Sequence, residues 1–94
     1  MIRHFVFFSA RDAQDRDAVL KGLSILKDIP SAAHVEVSPN MKLDSLSSEV
    51  DVVVYAEFDD LAALEAFKAH DLYEESIRLV RPIRELRFVA DIEA

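Results

Sequence analysis

The chain contains no cysteine. No disulfide can staple the fold and no thiolate chemistry is open to it, a usage that fits a reducing compartment. Glycine is nearly as scarce. Gly22 stands alone among 94 residues, so a Gly-rich loop that cradles phosphate with backbone N–H groups is excluded. Basic residues are outnumbered, 11 Lys and Arg against 18 Asp and Glu, for a formal charge of −7. They are scattered rather than clustered, and such a surface repels nucleic acids and anionic membranes. No apolar run approaches the ~20 residues of a membrane span. The opening Met1-Ile2-Arg3-His4-Phe5 lacks the basic and cleavable segments of a signal peptide. These absences predict a cytoplasmic protein with no nucleic-acid or membrane partner.

What remains is the makeup of a folded globular protein, 51% hydrophobic and 31% charged. Ninety-four residues make one domain, 1–94. A chain of this size buries roughly 60–65% of its unfolded surface, an adequate core without reserve.

Ile2 to Phe8 is β-branched and aromatic, and Ser9-Ala10-Arg11-Asp12 bounds it, so it reads as a strand and turn. Asp12 or Asp15 can cap a helix carrying Val19, Leu20, Leu23 and Leu26 at helical spacing, which Pro30 closes. Ala33 to Val37 alternates as a half-buried strand does, and 41–49 is a polar, serine-rich loop. Val50 to Phe58 is the strongest strand signal. Asp59 or Asp60 then caps a helix with Leu61, Leu64 and Phe67, interrupted at His70-Asp71. Asp71-Leu72-Tyr73-Glu74 reads as a capping box opening a further helix with Tyr73, Ile77 and Val80 on one side. Arg78 and Arg81 suit the negative end of its dipole, and Pro82 stops it. Leu86 to Ile92 is the last strand. The order β-α-β-β-α-β predicts an α+β, ferredoxin-like fold: a four-stranded antiparallel sheet with helices on one face.

A sheet with one face in water alternates apolar and polar residues. The first and third strands do not. Phe5 and Phe7 oppose Ile2, Val6 and Phe8, while Val53 and Tyr55 oppose Val52, Val54, Ala56 and Phe58. Helices cover one face only, and each large side chain left in water forgoes roughly 1.5–3 kcal/mol of burial. The expectation is a homodimer packed sheet to sheet. We expect Asp51 and Tyr55 on the helix side, and the face of Val6, Phe8, Val52, Val54 and Ala56 toward the partner, lining a cavity.

Several stretches together resemble the stress-responsive A/B barrel domain family. They are Met1-Ile2-Arg3-His4-Phe5-Val6-Phe7-Phe8, the strand Asp51–Phe58 with Asp59-Asp60-Leu61-Ala62-Ala63-Leu64, Phe67-Lys68-Ala69-His70, and Phe88-Val89-Ala90-Asp91. The resemblance implies a dimeric α+β barrel. A plant polyketide cyclase, olivetolic acid cyclase, is similar to this family and closes rings with a tyrosine and a histidine on the broken second helix. By position, His4 matches its first-strand histidine, Tyr73 stands at the catalytic histidine, Phe67 at the catalytic tyrosine, and Val52 at a further cavity histidine. The resemblance thus implies a cavity of reduced polarity in which that chemistry is replaced.

Among the polar groups, His4 shares the cavity face, and imidazole is the side chain that exchanges protons near neutral pH. A buried histidine bonded to a backbone or hydroxyl group is the plain alternative. Tyr73 can donate to a substrate carbonyl, or stand as a core tyrosine with one wet end. His70 can border the ligand or cap a helix. His34 faces solvent or the helices, and Asp51 can pair with Arg3. Glu57, Glu85 and Asp91 look like rim charges. His4, His34 and His70 lie on three elements with no i, i+4 pair, so no metal site is expected.

Three readings follow. The leading one is a homodimer that binds a small apolar or aromatic molecule, with Val6, Phe8, Val52, Val54, Ala56, Phe67 and His70 at the ligand. The second is a cofactor-free enzyme (cyclase, isomerase or monooxygenase-like) with His4 as base and Tyr73 as hydrogen-bond donor. The third is a structural assembly protein whose cavity is filled. A space of ~300 Å³ or more near His4 would favour a ligand.

Overall fold

The computed structural model describes residues 1–94. Four strands, β1 (Ile2–Ala10), β2 (His34–Pro39), β3 (Val52–Phe58) and β4 (Arg84–Glu93), form one antiparallel sheet in the order β2-β3-β1-β4. Three helices, α1 (Arg16–Ser24), α2 (Leu61–Ala69) and α3 (Asp71–Val80), complete the ferredoxin-like α+β fold. None is long and apolar enough to cross a membrane.

The helix starts follow local chemistry. Asp60 caps α2, its carboxylate accepting from the Ala63 N–H at 2.8 Å. At α3 the cap is His70 rather than Asp71: its Nδ1 accepts from the Leu72 N–H at 3.1 Å. Neither Asp12 nor Asp15 caps α1 with its side chain. A short 3₁₀ turn, Ala13–Asp15, leads into it, closed by Asp15 N–H on the Asp12 carbonyl at 2.9 Å.

Helices α1 and α3 meet at the one glycine. A Cβ on Gly22 would lie 2.7 Å from Val80 Cγ2, so only a bare backbone allows this approach. The buried Ser76 hydroxyl seals the contact by donating to the Gly22 carbonyl at 2.9 Å.

The core settles which sheet face the helices take. Val6, Phe8, Val52, Val54, Ala56 and Phe58 are buried together with Val19, Leu23 and Leu26 of the helical layer. This corrects the expected orientation. Tyr55 does not face the helices; with Phe5, Phe7 and Val53 it lies on the open face, where it tilts over Phe5 at 5.1 Å. The reason is register. Residues paired across strands share a face, and the register joins His4 to Ala56, Val6 to Val54 and Phe8 to Val52 beneath the helices. Open-face apolar residues continue onto β4, where Phe88 is 64% and Ile92 48% exposed.

Asp51 is also placed differently. It meets Lys42 Nζ at 2.7 Å and Arg16 Nε at 3.0 Å, not Arg3, and accepts from the Ala10 N–H at 2.8 Å. Burial pushes its carboxyl pKa up, but the Lys42 hydrogen bond, the Ala10 N–H and both cations outweigh that and hold it below the usual range. The loop after β2 is thereby tied to the start of α1.

Candidate functional site

Between the sheet and its helices lies a cavity of about 230 Å³. His4, Val6, Phe8 and Val54 form its floor, and Leu23, Leu26 and Phe67 contribute to its helical wall. Because helices cover this face, the cavity lies within one chain, not between two sheets as expected. Its volume falls short of the ~300 Å³ where drug-sized pockets begin. It exceeds the ~150 Å³ that accommodates benzene in an engineered core. One ring with a substituent fits.

His4 is 1% exposed, and its Nδ1 lies 2.5 Å from Asp91 Oδ1. The pair arises from register: β1 and β4 run antiparallel with His4 opposite Asp91. An ionised carboxylate only accepts, so Nδ1 carries a proton, and in the neutral imidazole Nε2 then holds the lone pair. The one hydrogen bond of the ring uses Nδ1, which leaves Nε2 without a partner in the chain. An imidazole oriented by a carboxylate, with its other nitrogen free beside a cavity, is the arrangement of a general base. Asp91, expected as a rim charge, is therefore part of the site. Composition could not mark it; only the β1–β4 register brings it under His4.

Edge-to-face aromatic contacts run from the histidine to the rim. His4 meets Phe58 with ring centres 6.0 Å apart, Phe58 meets Phe67 at 5.0 Å, and Phe67 meets Tyr73 at 5.6 Å. Phe67 is 1% exposed and fixes this wall. The Tyr73 hydroxyl accepts from Arg87 Nη2 at 3.2 Å and keeps its own proton to donate. Arg81, Arg84 and Arg87 complete the rim. Arg81 was expected only as a helix-end cation, and Arg84 and Arg87 carried no signal.

Of the other residues expected at the ligand, Val52 and Ala56 lie on the cavity face but outside its lining, 2% and 0% exposed in the packed core. The cavity spans only the middle of β3, and packing closes both ends. His70 also stands outside the lining, its ring nitrogen engaged as the α3 cap. His34 is on the open face, its Nε2 3.4 Å from Glu36. No group of three or more His, Asp or Glu stands close enough to hold a metal ion.

Comparison with solved structures finds the same fold elsewhere. A dimeric ferredoxin-like protein of unknown function from Jannaschia sp. CCS1 superposes with a TM-score of 0.83 at 22% identity, covering 99% of this chain and 98% of that one. A Dabb family protein from Mesorhizobium loti gives 0.79 at 21%, covering 99% and 95%. A candidate antibiotic biosynthesis monooxygenase from Nitrosomonas europaea gives 0.83 at 13%, covering 100% and 98%. At these identities the likeness shows the fold alone. No curated protein matches the sequence. The family model of the stress responsive A/B barrel domain, Dabb, matches residues 2–94. The chain belongs to the stress responsive A/B barrel domain family.

Proposed function

We propose that the protein is a homodimer whose subunits each bind a small, largely apolar or aromatic molecule in the cavity between sheet and helices. The observation that carries this is the buried His4, held by Asp91 with Nε2 unpartnered beside a space for a single ring. A cavity-facing ring nitrogen with no partner in the chain can accept a hydrogen bond from a bound molecule. The dimer part rests on the open face of Phe5, Phe7, Val53, Tyr55, Phe88 and Ile92, which water would otherwise meet. It is supported by the dimers described for structures of the same fold. A cytosolic working place belongs to this reading and is supported by a fold that needs no disulfide.

The test is a thermal-shift panel of single-ring aromatic and aliphatic compounds. A ligand at one hundred times its Kd stabilises the native state by about 2.7 kcal/mol. A shift in wild type that is absent in Val6→Phe, which narrows the cavity, is the expected result. No shift with any compound, or equal shifts in both proteins, would contradict it.

The His4–Asp91 pair favours a second reading, a cofactor-free enzyme in which Nε2 takes a proton from the bound molecule and Tyr73 donates a hydrogen bond to the oxygen that gains charge. The candidate monooxygenase among the structural relatives gives this class a precedent on the same fold, no more. Exchange of solvent deuterium into acetophenone, followed by NMR, tests it. His4→Ala is expected to remove catalysed exchange and Asp91→Asn to reduce it strongly. Equal rates in all three proteins would sink the enzyme reading.

A further inference from the structure

The cavity rim holds three arginines, Arg81, Arg84 and Arg87. Of the four arginines elsewhere, three are paired, Arg11 with Glu85, Arg16 with Asp51 and Arg78 with Glu75, and only Arg3 is not. None of the rim arginines has a carboxylate within 4.0 Å, although the chain carries 18 Asp and Glu for 11 Lys and Arg. No acidic side chain lines the cavity at all; Asp91 stands behind His4, outside the lining. Arg87 is steadied on the Tyr73 hydroxyl at 3.2 Å, a neutral partner that leaves its charge uncompensated. Three like charges gathered at one opening, in an otherwise acidic protein, repel one another. An anion seated there would relieve that repulsion.

We propose that the ligand is a small carboxylic acid, its apolar ring in the cavity and its carboxylate held by the arginine rim. This rests on the cavity-binding reading above and names the ligand class. Guanidinium is the group suited to it, because its planar fork meets both carboxylate oxygens at once. The geometry orients the molecule. Arg87 pairs with Phe8 and Asp91 with His4, four residues further along the strands, a backbone separation of roughly 13 Å at ~3.3 Å per residue. With its carboxylate at the rim, one ring points its far end toward His4 Nε2. The cavity volume of about 230 Å³ limits the acid to a single ring.

The test compares benzoate with its neutral isostere benzamide by calorimetric titration against wild type and the double variant Arg84→Gln/Arg87→Gln. Both substituted residues lie on β4 at the rim, and a melting curve confirms that each protein is folded. The expected result is benzoate binding at least tenfold tighter than benzamide to wild type. That preference should shrink to less than threefold in the variant, and should fall in wild type as salt rises. Equal affinity for the two compounds in wild type, or a preference that survives the substitutions, would overturn the anion assignment while leaving the cavity reading standing. Binding of neither compound would overturn both.

Discussion

Both faces of the sheet are apolar along the middle of β1 and β3, yet they do different things. Under the helices, Val6, Phe8, Val54 and Phe58 are 4%, 6%, 1% and 0% exposed, and the face contains the cavity, His4 and the carboxylate that holds it. On the other face, Phe5, Phe7, Val53 and Tyr55 are only half-covered by their neighbours, and Phe88 and Ile92 stand open. The difference teaches that hydrophobicity marks a face as needing cover without saying what covers it. The outer strands carry that information, in opposite senses. On β2, Val35 and Val37 point to the helices while His34, Glu36 and Ser38 point away. On β4 the polar residues Arg87 and Asp91 flank Val89 on the helix side with the cavity, while Phe88, Ala90 and Ile92 point away. Under the proposed function, Arg87 and Asp91 turn inward because they serve the cavity, and Phe88 and Ile92 turn outward toward a partner subunit.

An aspartate placed on each face in turn should separate their roles most clearly. Val54→Asp puts an unpaired charge beneath the helices and is expected to cost about 3–5 kcal/mol or more, leaving the chain largely unfolded by circular dichroism. Phe7→Asp, on the open face, is expected to keep the fold and yield a monomer in sedimentation equilibrium. A folded Val54→Asp protein, or a Phe7→Asp protein that remains dimeric, would reverse the roles assigned to the faces.

Next in size is Gly22→Ala. Its methyl group would stand 2.7 Å from Val80 Cγ2, forcing α1 and α3 apart. The expected loss is about 1–3 kcal/mol in urea denaturation, and an unchanged midpoint would mean the helices yield freely.

The Asp51 knot sharpens the account through pH. Its pKa is lowered on folding, so the folded form binds the proton less readily than the unfolded chain. The stability this contributes is present above the unfolded carboxylate range, near 3.9, and is lost as pH falls through the still lower folded value. Asp51→Asn is therefore expected to lower the melting temperature at pH 7 and to flatten its decline below pH 4. A parallel decline in both proteins would assign acid sensitivity to other groups.

The smallest effect is expected at the α2 cap. Asp60→Ala removes the acceptor for Ala63 N–H and should cost about 1 kcal/mol. A neutral result would show that α2 is held by packing of Leu64 and Phe67 alone.

Much of the fold was legible because local chemistry dictates it. Asp60, Pro82 and the alternation of β2 act where they stand in the sequence, and the β-α-β-β-α-β order follows from them. The orientation of the sheet was not legible. Strand register and the hand of the β1-α1-β2 crossover decide which face the helices cover, and neither is written in a one-dimensional pattern that is apolar on both sides. The same gap hid half of the site. His4 and Tyr73 stood out as polar groups among apolar neighbours, and Phe67 through helical spacing and family resemblance. Asp91 and Arg87 looked like ordinary charges on an alternating strand, and only cross-strand pairing with His4 and Phe8 brings them to the cavity.

The division of labour between the faces can be tested in one measurement: chemical-shift mapping of the amide and side-chain methyl resonances during titration with benzoate and, separately, benzamide. At least one compound is expected to perturb residues lining the cavity, Val6, Leu23, Leu26 and Val54 among them, and to leave Phe5, Phe7, Val53 and Phe88 in place. Perturbations centred on the open face, or none with either compound at saturating concentration, would contradict it.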